Sequence, residues 1–222
     1  MKLTLAEELL LIALDDKRGK LITSSDYSID YCIAGALLFD LTFDNKIIVQ
    51  NNKLEVINDI PHEDPILKKA LSIISKSERT ENMQFWLNEL CEKIPGIRVE
   101  ILENLVVKDV LYKVEKKLLK IFSTPRYLPK QGESEHLVRT RIREIILNHK
   151  SHDIKSIMLI GLINTADLVE EIFPALNDLK AARSWINSIS KSQKIHSSIS
   201  ETLQEIQSAV DASIAVPIIA RT

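Results

Sequence analysis

The stretch DYSIDYCIAGALLFDLTFDNKIIVQNNKLEVIN, residues 26–58, decides the fold, because it runs as a buried helix and then changes period. Ile29, Ile33, Ala36, Leu37 and Leu41 recur at helical spacing and form one apolar stripe. Ser24 or Ser25 is placed to cap the start, with Asp26 and Asp30 in the first turn, where the helix dipole favours negative charge. From Phe43 onward the pattern alternates. Ile47 and Val49 stand on one side of Asn51-Asn52 and Leu54 and Val56 on the other, and asparagine tolerates the positive φ of a tight hairpin. A helix followed by a hairpin is therefore the local unit.

The rest of the chain must cover that helix, and its composition suits the task. The 222 residues are 45% hydrophobic and 27% charged, ordinary for a globular domain with a substantial core. Lys plus Arg number 29 against 31 Asp plus Glu, so no overall field drives the chain onto nucleic acid or membrane, and any anion site is local. Five glycines and 5% aromatic residues argue against an all-β fold and against a Gly-rich nucleotide fold. Cys32 and Cys91 sit in apolar runs and read as small buried residues of a reducing compartment, not as a disulfide. The apolar runs Leu9 to Leu14 and Ile157 to Ile163 are too short to span a bilayer, and the first is too acidic for a signal peptide. Those features predict a cytosolic protein with at most peripheral membrane contact.

In chain order, Thr4 and Glu7 have capping-box spacing and predict a helix to about Asp15, stopped by Gly19. Asp64-Pro65 opens a helix through Ile74; Thr80 to Lys93 makes another, ended by Pro95-Gly96; and Ile97 to Lys108 makes a third. Val110, Tyr112 and Val114 then face Leu118, Leu119 and Ile121 across a Glu115-Lys116-Lys117 turn, which predicts a second hairpin. Pro125 and Pro129 mark a loop before a helix from Ser134 to Leu147, with Leu137, Val138, Ile142, Ile145 and Ile146 as its apolar positions. Ile154 to Ile163 reads as a largely buried helix, continued by Thr165 to Phe173 after a break at Asn164. Helices over Leu176 to Ile189 and Ser198 to Ala215 close the chain. No linker or low-complexity segment divides it, so the reading is mainly α: one domain, residues 1–222, a helical bundle with surrounding amphipathic helices and two β-hairpins.

Leu3-Thr4-Leu5-Ala6-Glu7-Glu8-Leu9-Leu10-Leu11 with Asp15 and Gly19, then Ala34 to Leu41, Asn104 to Leu111, the Pro125 and Pro129 loop and LIGLINTADLVEEIF at 159–173, together resemble the Golgi phosphoprotein 3 family along nearly the whole chain. The resemblance implies a mostly helical single domain and no enzymatic activity. It also implies peripheral membrane proteins that bind phosphatidylinositol 4-phosphate and the cytosolic tails of membrane proteins, at the Golgi in eukaryotes. The motif starts at Leu3, without the long basic extension of eukaryotic members, which points to a short, bacterial-type member.

For the lipid site, the resemblance implies a Trp just before the central helix, an Arg within it and basic residues on the helix after the proline loop. This chain has Ser25 and Ala34 at the first two places, with Tyr27 the nearest aromatic, and keeps Arg139, Arg141 and Arg143 on the later helix. Arg139 and Arg143 stand one turn apart and can face one phosphate together, since guanidinium groups grip phosphate oxygens bidentately. The plainer reading of the arginines is a solvated helix face paired in part with Glu135 and Glu144. Implied partners are thus an anionic, phosphoinositide-like head group, a membrane-protein tail and a second copy of the chain.

Other features carry less. His149 and His152 read as loop histidines, Trp86 and Trp185 as core or half-buried residues, and Glu170-Glu171 as neighbours pointing apart on a helix. There is no nucleophile elbow, phosphate-cradling Gly-rich loop, H-E-x-x-H or zinc-spaced Cys pair, so neither an enzyme nor a cofactor is expected. One alternative is a winged-helix-like nucleic-acid binder built on residues 97–122, with Lys108, Lys113, Lys116, Lys117 and Lys120 along it. Balanced net charge makes nucleic acid the weaker partner. Another is a helical domain that only binds protein.

Overall fold

The computed structural model describes residues 3–15, 17–22, 28–51, 53–77, 81–114, 117–118, 121–122, 125–130, 133–149, 153–190 and 201–219. It is mainly α, as the periodicity predicts. Helix α1 (Leu5–Ile12) opens with the capping box, the Thr4 hydroxyl accepting from Glu7 N–H and the Glu7 carboxylate from Thr4 N–H. All eight of its residues are buried. The helix stops at Ile12, not near Asp15, because the backbone turns into a short ladder of β1 (Leu14–Asp15) with β2 (Lys20–Leu21), closed by Ile22 N–H donating to Ala13 C=O. Gly19 has a second duty there. At φ +64° its carbonyl accepts from Tyr127 N–H, and a Cβ would lie 2.9 Å from the Tyr127 carbonyl oxygen.

Helix α2 (Ile29–Phe43) is the centre, with 11 of its 15 residues buried. Its expected caps, Ser24 and Ser25, and the first-turn Asp26 lie outside the described residues; Asp30 is in the first turn and forms a forked pair with Arg98 at 2.6 and 3.0 Å. The hairpin follows as expected: β3 (Ile47–Gln50) pairs antiparallel with β4 (Lys53–Val56) in the register Val49 to Leu54, and Asn51 takes φ +53° at the turn.

Helix α3 (Pro65–Ser75) is capped by Asp64, whose carboxylate accepts from Ile66 and Leu67 N–H. Helix α4 (Met83–Lys93) begins three residues later than Thr80 because the Asn82 side chain accepts from Phe85 N–H and fixes the start. Helix α5 (Ile97–Val107) leaves Gly96 at φ +72°.

The second hairpin differs from its sequence reading. Strand β5 (Leu111–Val114) pairs with β8 (Arg126–Pro129), not with the segment just after Lys117, and β6 (Lys117–Leu118) pairs separately with β7 (Ile121–Phe122). Burial selects that partner: Leu111 and Tyr127 fall on one face of the β5–β8 ladder, both at most 3% exposed, and the Tyr127 hydroxyl donates to Glu103 on α5. Pro129 is tolerated because β8 is an edge strand and, with Lys130 N–H bonded to Val110 C=O, Pro129 stands opposite Leu111 at a non-hydrogen-bonded place where no ladder donor is needed.

Helices α6 (Glu133–Leu147), α7 (Ile154–Thr165), α8 (Val169–Ile172), α9 (Leu176–Ser190) and α10 (Glu201–Ile219) complete the fold. On α6 the buried stripe is Val138, Ile142, Ile145 and Ile146, while Leu137, expected on it, is 66% exposed on the opposite side. The break after α7 comes at Ala166–Leu168, where Asp167 takes φ +56°. Helix α10 lies against α2, α4, α7 and β3. It comes that close because Gly35 and Gly161 present no side chain: a Cβ at Gly35 would lie 2.5 Å from Val210 Cγ2. Trp86 is buried and Trp185 half-buried, as their spacing predicts.

Candidate functional site: the arginine helix and an acidic cleft

Helix α6 carries Arg139, Arg141 and Arg143, and its buried stripe fixes where they point. Arg139 and Arg143 share one side. The Arg139 guanidinium donates to Glu135 on its own helix, to the Glu171 carbonyl of α8 and, at 3.3 Å, to the Ile12 carbonyl that ends α1. Arg143 donates to the Ile172 carbonyl at 2.8 Å and to Asp178 of α9 at 2.7 Å, with its guanidinium 5.3 Å from the centre of the Phe173 ring. These two arginines thus stopper helix C-termini, where carbonyls lack intrahelical partners and the dipole is negative.

Arg141, two residues on and across the helix, makes a two-pronged pair with Glu8 of α1 at 3.2 and 2.7 Å. Its Nε is buried without a partner. The side chains of Arg141 and Arg143 keep 40% and 38% of their exposure, against 21% for Arg139, so only the first two present charge to a ligand in the structure as it stands. Tyr27, the aromatic named beside them, lies outside the described residues.

A feature that sequence reading missed lies at the opposite end of α1. Buried Glu7 accepts from Asn104 at 2.9 Å and pairs with Lys108 at 2.6 Å; Lys108 and Asn104 also reach Asp64, at 3.0 and 3.1 Å. One carboxyl-amide-ammonium cluster therefore joins α1, α3 and α5. The interaction with Lys108 and the capping N–H groups outweighs burial and holds the Asp64 carboxyl below its ordinary range. Burial likewise opposes the raised Lys108 ammonium, which the Glu7 and Asp64 carboxylates more than offset.

Beside this cluster, Asp40 of α2 is 4% exposed and accepts from Leu5 N–H at 2.7 Å and from Lys155 Nζ at 3.0 Å. Burial dominates there and pushes the carboxyl up to about 6 against the pull of Lys155 and Leu5. Both groups border an open cleft of about 420 Å³, with Leu3, Phe43 and Leu67 as apolar lining and Asp44, His62 and Glu63 at its polar side. The helical spacing of Glu7 and Asp40 carries no sign of this convergence; the one legible signal is an acidic residue inside an otherwise apolar run, Leu37-Leu38-Phe39-Asp40-Leu41.

The remaining candidates divide simply. Cys32 and Cys91 are free thiols, raised by burial, Cys91 to about 12, and thus unreactive. Among the described residues no group of three or more His, Cys, Asp or Glu is placed to hold a metal ion, and no helix is long and apolar enough to cross a membrane. Of the lysines of the winged-helix alternative, Lys108 is turned inward to Glu7 and Asp64, and Lys113 pairs with Glu103 at 2.8 Å. The side chains of Lys116, Lys117 and Lys120 lie outside the described residues. In the comparison with protein families, the model described as Golgi phosphoprotein 3 (GPP34) matches residues 5–209.

Proposed function

The chain belongs to the Golgi phosphoprotein 3 family, and from that premise we propose that it is a non-enzymatic adaptor of membrane surfaces, docking an anionic phospholipid head group and a protein partner. The observation that carries this reading is the family match itself, which spans the central helix α2 and the arginine helix α6 on one continuous fold. Arg143, on the side of α6 that it shares with Arg139, and Arg141, across the helix, are the part-exposed guanidinium groups that would each meet a phosphate separately, since residues two apart on a helix do not face each other. Each is part-exposed and now bound to one acid, Glu8 or Asp178, so a head group must compete for guanidinium donors already in use. About 1 kcal/mol per basic residue near an anionic surface gives weak docking, which calls for a second contact from a protein partner or another copy of the chain.

One observation favours a second reading. All three arginines are engaged with acceptors of the protein itself, as in a domain that binds only protein and uses its basic helix as internal bracing.

Co-sedimentation with vesicles separates the two. At fixed salt, the wild type is compared on neutral vesicles and on vesicles containing phosphatidylinositol 4-phosphate or phosphatidylglycerol. Arg141→Gln and Arg143→Gln are run in parallel after circular dichroism has confirmed their folding. The lipid reading expects binding to an anionic vesicle that falls several-fold in both variants. Binding of the folded wild type to none of the vesicles rejects it and leaves the protein-binding domain.

A further inference from the structure

We propose that the outer edge of β4 receives an extended peptide of the protein partner as an added strand, with a basic side chain of that peptide set between Glu55, Asp59 and the C-terminus of α3. The register makes the edge. Ile57 N–H donates to the Lys46 carbonyl at 2.9 Å, so Ile47 and Val56, next in the ladder, form a non-hydrogen-bonded pair, as do Val49 and Leu54. Leu54 and Val56 therefore turn their backbone N–H and C=O groups away from β3. The bridge of Lys53 with Asn82 closes that edge beside the turn, and Val56 lies beyond it. On the other side of the hairpin α10 lies against β3, so a further strand can join only at β4.

A cleft of about 520 Å³ follows this edge, lined by residues 54–59 in unbroken succession and, across from them, by Ile74 and Ser75 at the end of α3. Successive strand residues point to opposite faces, so a cleft that touches all of them runs along the backbone. The buried Trp86 borders it too, and its indole N–H has no acceptor among the described residues. Ile57 in the lining and Ile60 just past Asp59 are both more than half exposed and give the cleft an apolar rim. Charge selects the occupant. Glu55 and Asp59 are the only charged side chains of the lining, and neither has an ion-pair partner among the described residues. Helix α3 ends there with no basic residue in its last turn, so its C-terminal dipole adds to the two carboxylates in favouring Lys or Arg. An added strand gains main-chain hydrogen bonds and points alternate side chains one way, so aliphatic and basic residues in alternation satisfy rim and carboxylates together. The inference rests on the protein-partner half of the adaptor reading and gives that partner a chemistry and a place.

The test titrates a capped hexapeptide of alternating valine and arginine, to millimolar concentration and without lipid, into the full chain and follows backbone amides by NMR. Saturable shifts are expected at Val56 and Ile57, with exchange of the Val56 amide slowed several-fold. The same peptide N-methylated at every residue keeps its side chains but loses its backbone donors, and should not bind. A peptide with glutamate in place of arginine should not bind the wild type either. The exposed double replacement Glu55→Lys with Asp59→Lys should lose the arginine peptide and gain the glutamate one. The proposal is overturned by the absence of saturable shifts at Val56, or by equal binding of the N-methylated peptide. It is equally overturned by Val56 protection that grows with protein concentration alone, which gives the edge to a second copy of the chain. Since the titration contains no lipid and the vesicle assay no peptide, the two readings fail separately. A chain that sediments with anionic vesicles but ignores the peptide overturns this site alone; one that takes the peptide at Val56 but ignores the vesicles supports this site and overturns head-group docking.

Discussion

At the scale of single residues, charge in this protein is placed to hold helix ends together more than to meet solvent. Arg141 and Glu8 illustrate the consequence. The Glu8 side chain is 9% exposed, so losing Arg141 leaves a nearly buried carboxylate unpaired, while the partly wet arginine softens the loss. Arg141→Ala is expected to destabilise by about 1–3 kcal/mol in urea unfolding. The double replacement Glu8→Gln with Arg141→Met should cost much less than the sum of the single ones, because it leaves no orphaned charge. Asp64 and Asp40 predict opposite pH behaviour. Asp64, held below its ordinary value, contributes stability that is present at neutral pH and lost as pH falls through its folded value. Asp40, raised from 3.8 to about 6, contributes stability that is full below its unfolded value and is lost as pH rises through 6. That shift corresponds to about 3 kcal/mol at neutral pH. Asp40→Asn should therefore gain stability relative to wild type between pH 5 and 7.5, by less than that figure because Lys155 loses its partner; equal pH dependence of the two unfolding curves would refute the assignment.

At the scale of elements, the fold depends on close approaches that only glycine permits. A Cβ at Gly35 would lie 2.5 Å from Val210 Cγ2, so Gly35→Val pushes α10 off the central helix. Overpacking of this kind costs roughly 1–3 kcal/mol, and Val210→Ala should restore part of what Gly35→Ala loses, which a double-mutant cycle in denaturant will show. Gly19→Ala meets two obstacles at once, a positive φ and the Tyr127 carbonyl, and should loosen the joint between the β1–β2 turn and β8. Elements were legible where one local rule sufficed. The Thr4 and Asp64 caps, the Asn51 turn and the apolar stripe of α2 all appear where their residues predict them. They failed where two local rules competed: Leu111 to Val114 has the alternation of a hairpin strand but takes its partner from beyond Pro125, where Tyr127 is buried on the same face of the ladder as Leu111.

At the scale of the whole molecule, α10 is the test of unity. It lies on α2, α4, α7 and β3, with Ile206 and Val210 fully buried, so a chain ending at residue 200 would uncover the apolar central helix α2. Such a truncation is expected to lose cooperative thermal unfolding and to bind a hydrophobic dye; a sharp transition near the wild-type temperature would show that residues 1–200 make a core without it. The sequence by itself determined the mainly α class, the central helix with its hairpin, the core positions of Trp86 and Ile142, and the family, because these follow from periodicity, caps and motif order, all of which are local in the chain. Only the tertiary structure decided what the charges do. Arg139, Arg141 and Arg143 read as a basic face until α1, α8 and α9 bring carbonyls and carboxylates to them. Asp40 and Lys155 are 115 residues apart and meet because α1, α2 and α7 pack at one junction. Burial and a distant partner set the state of an ionisable group, and neither is written in the residues beside it.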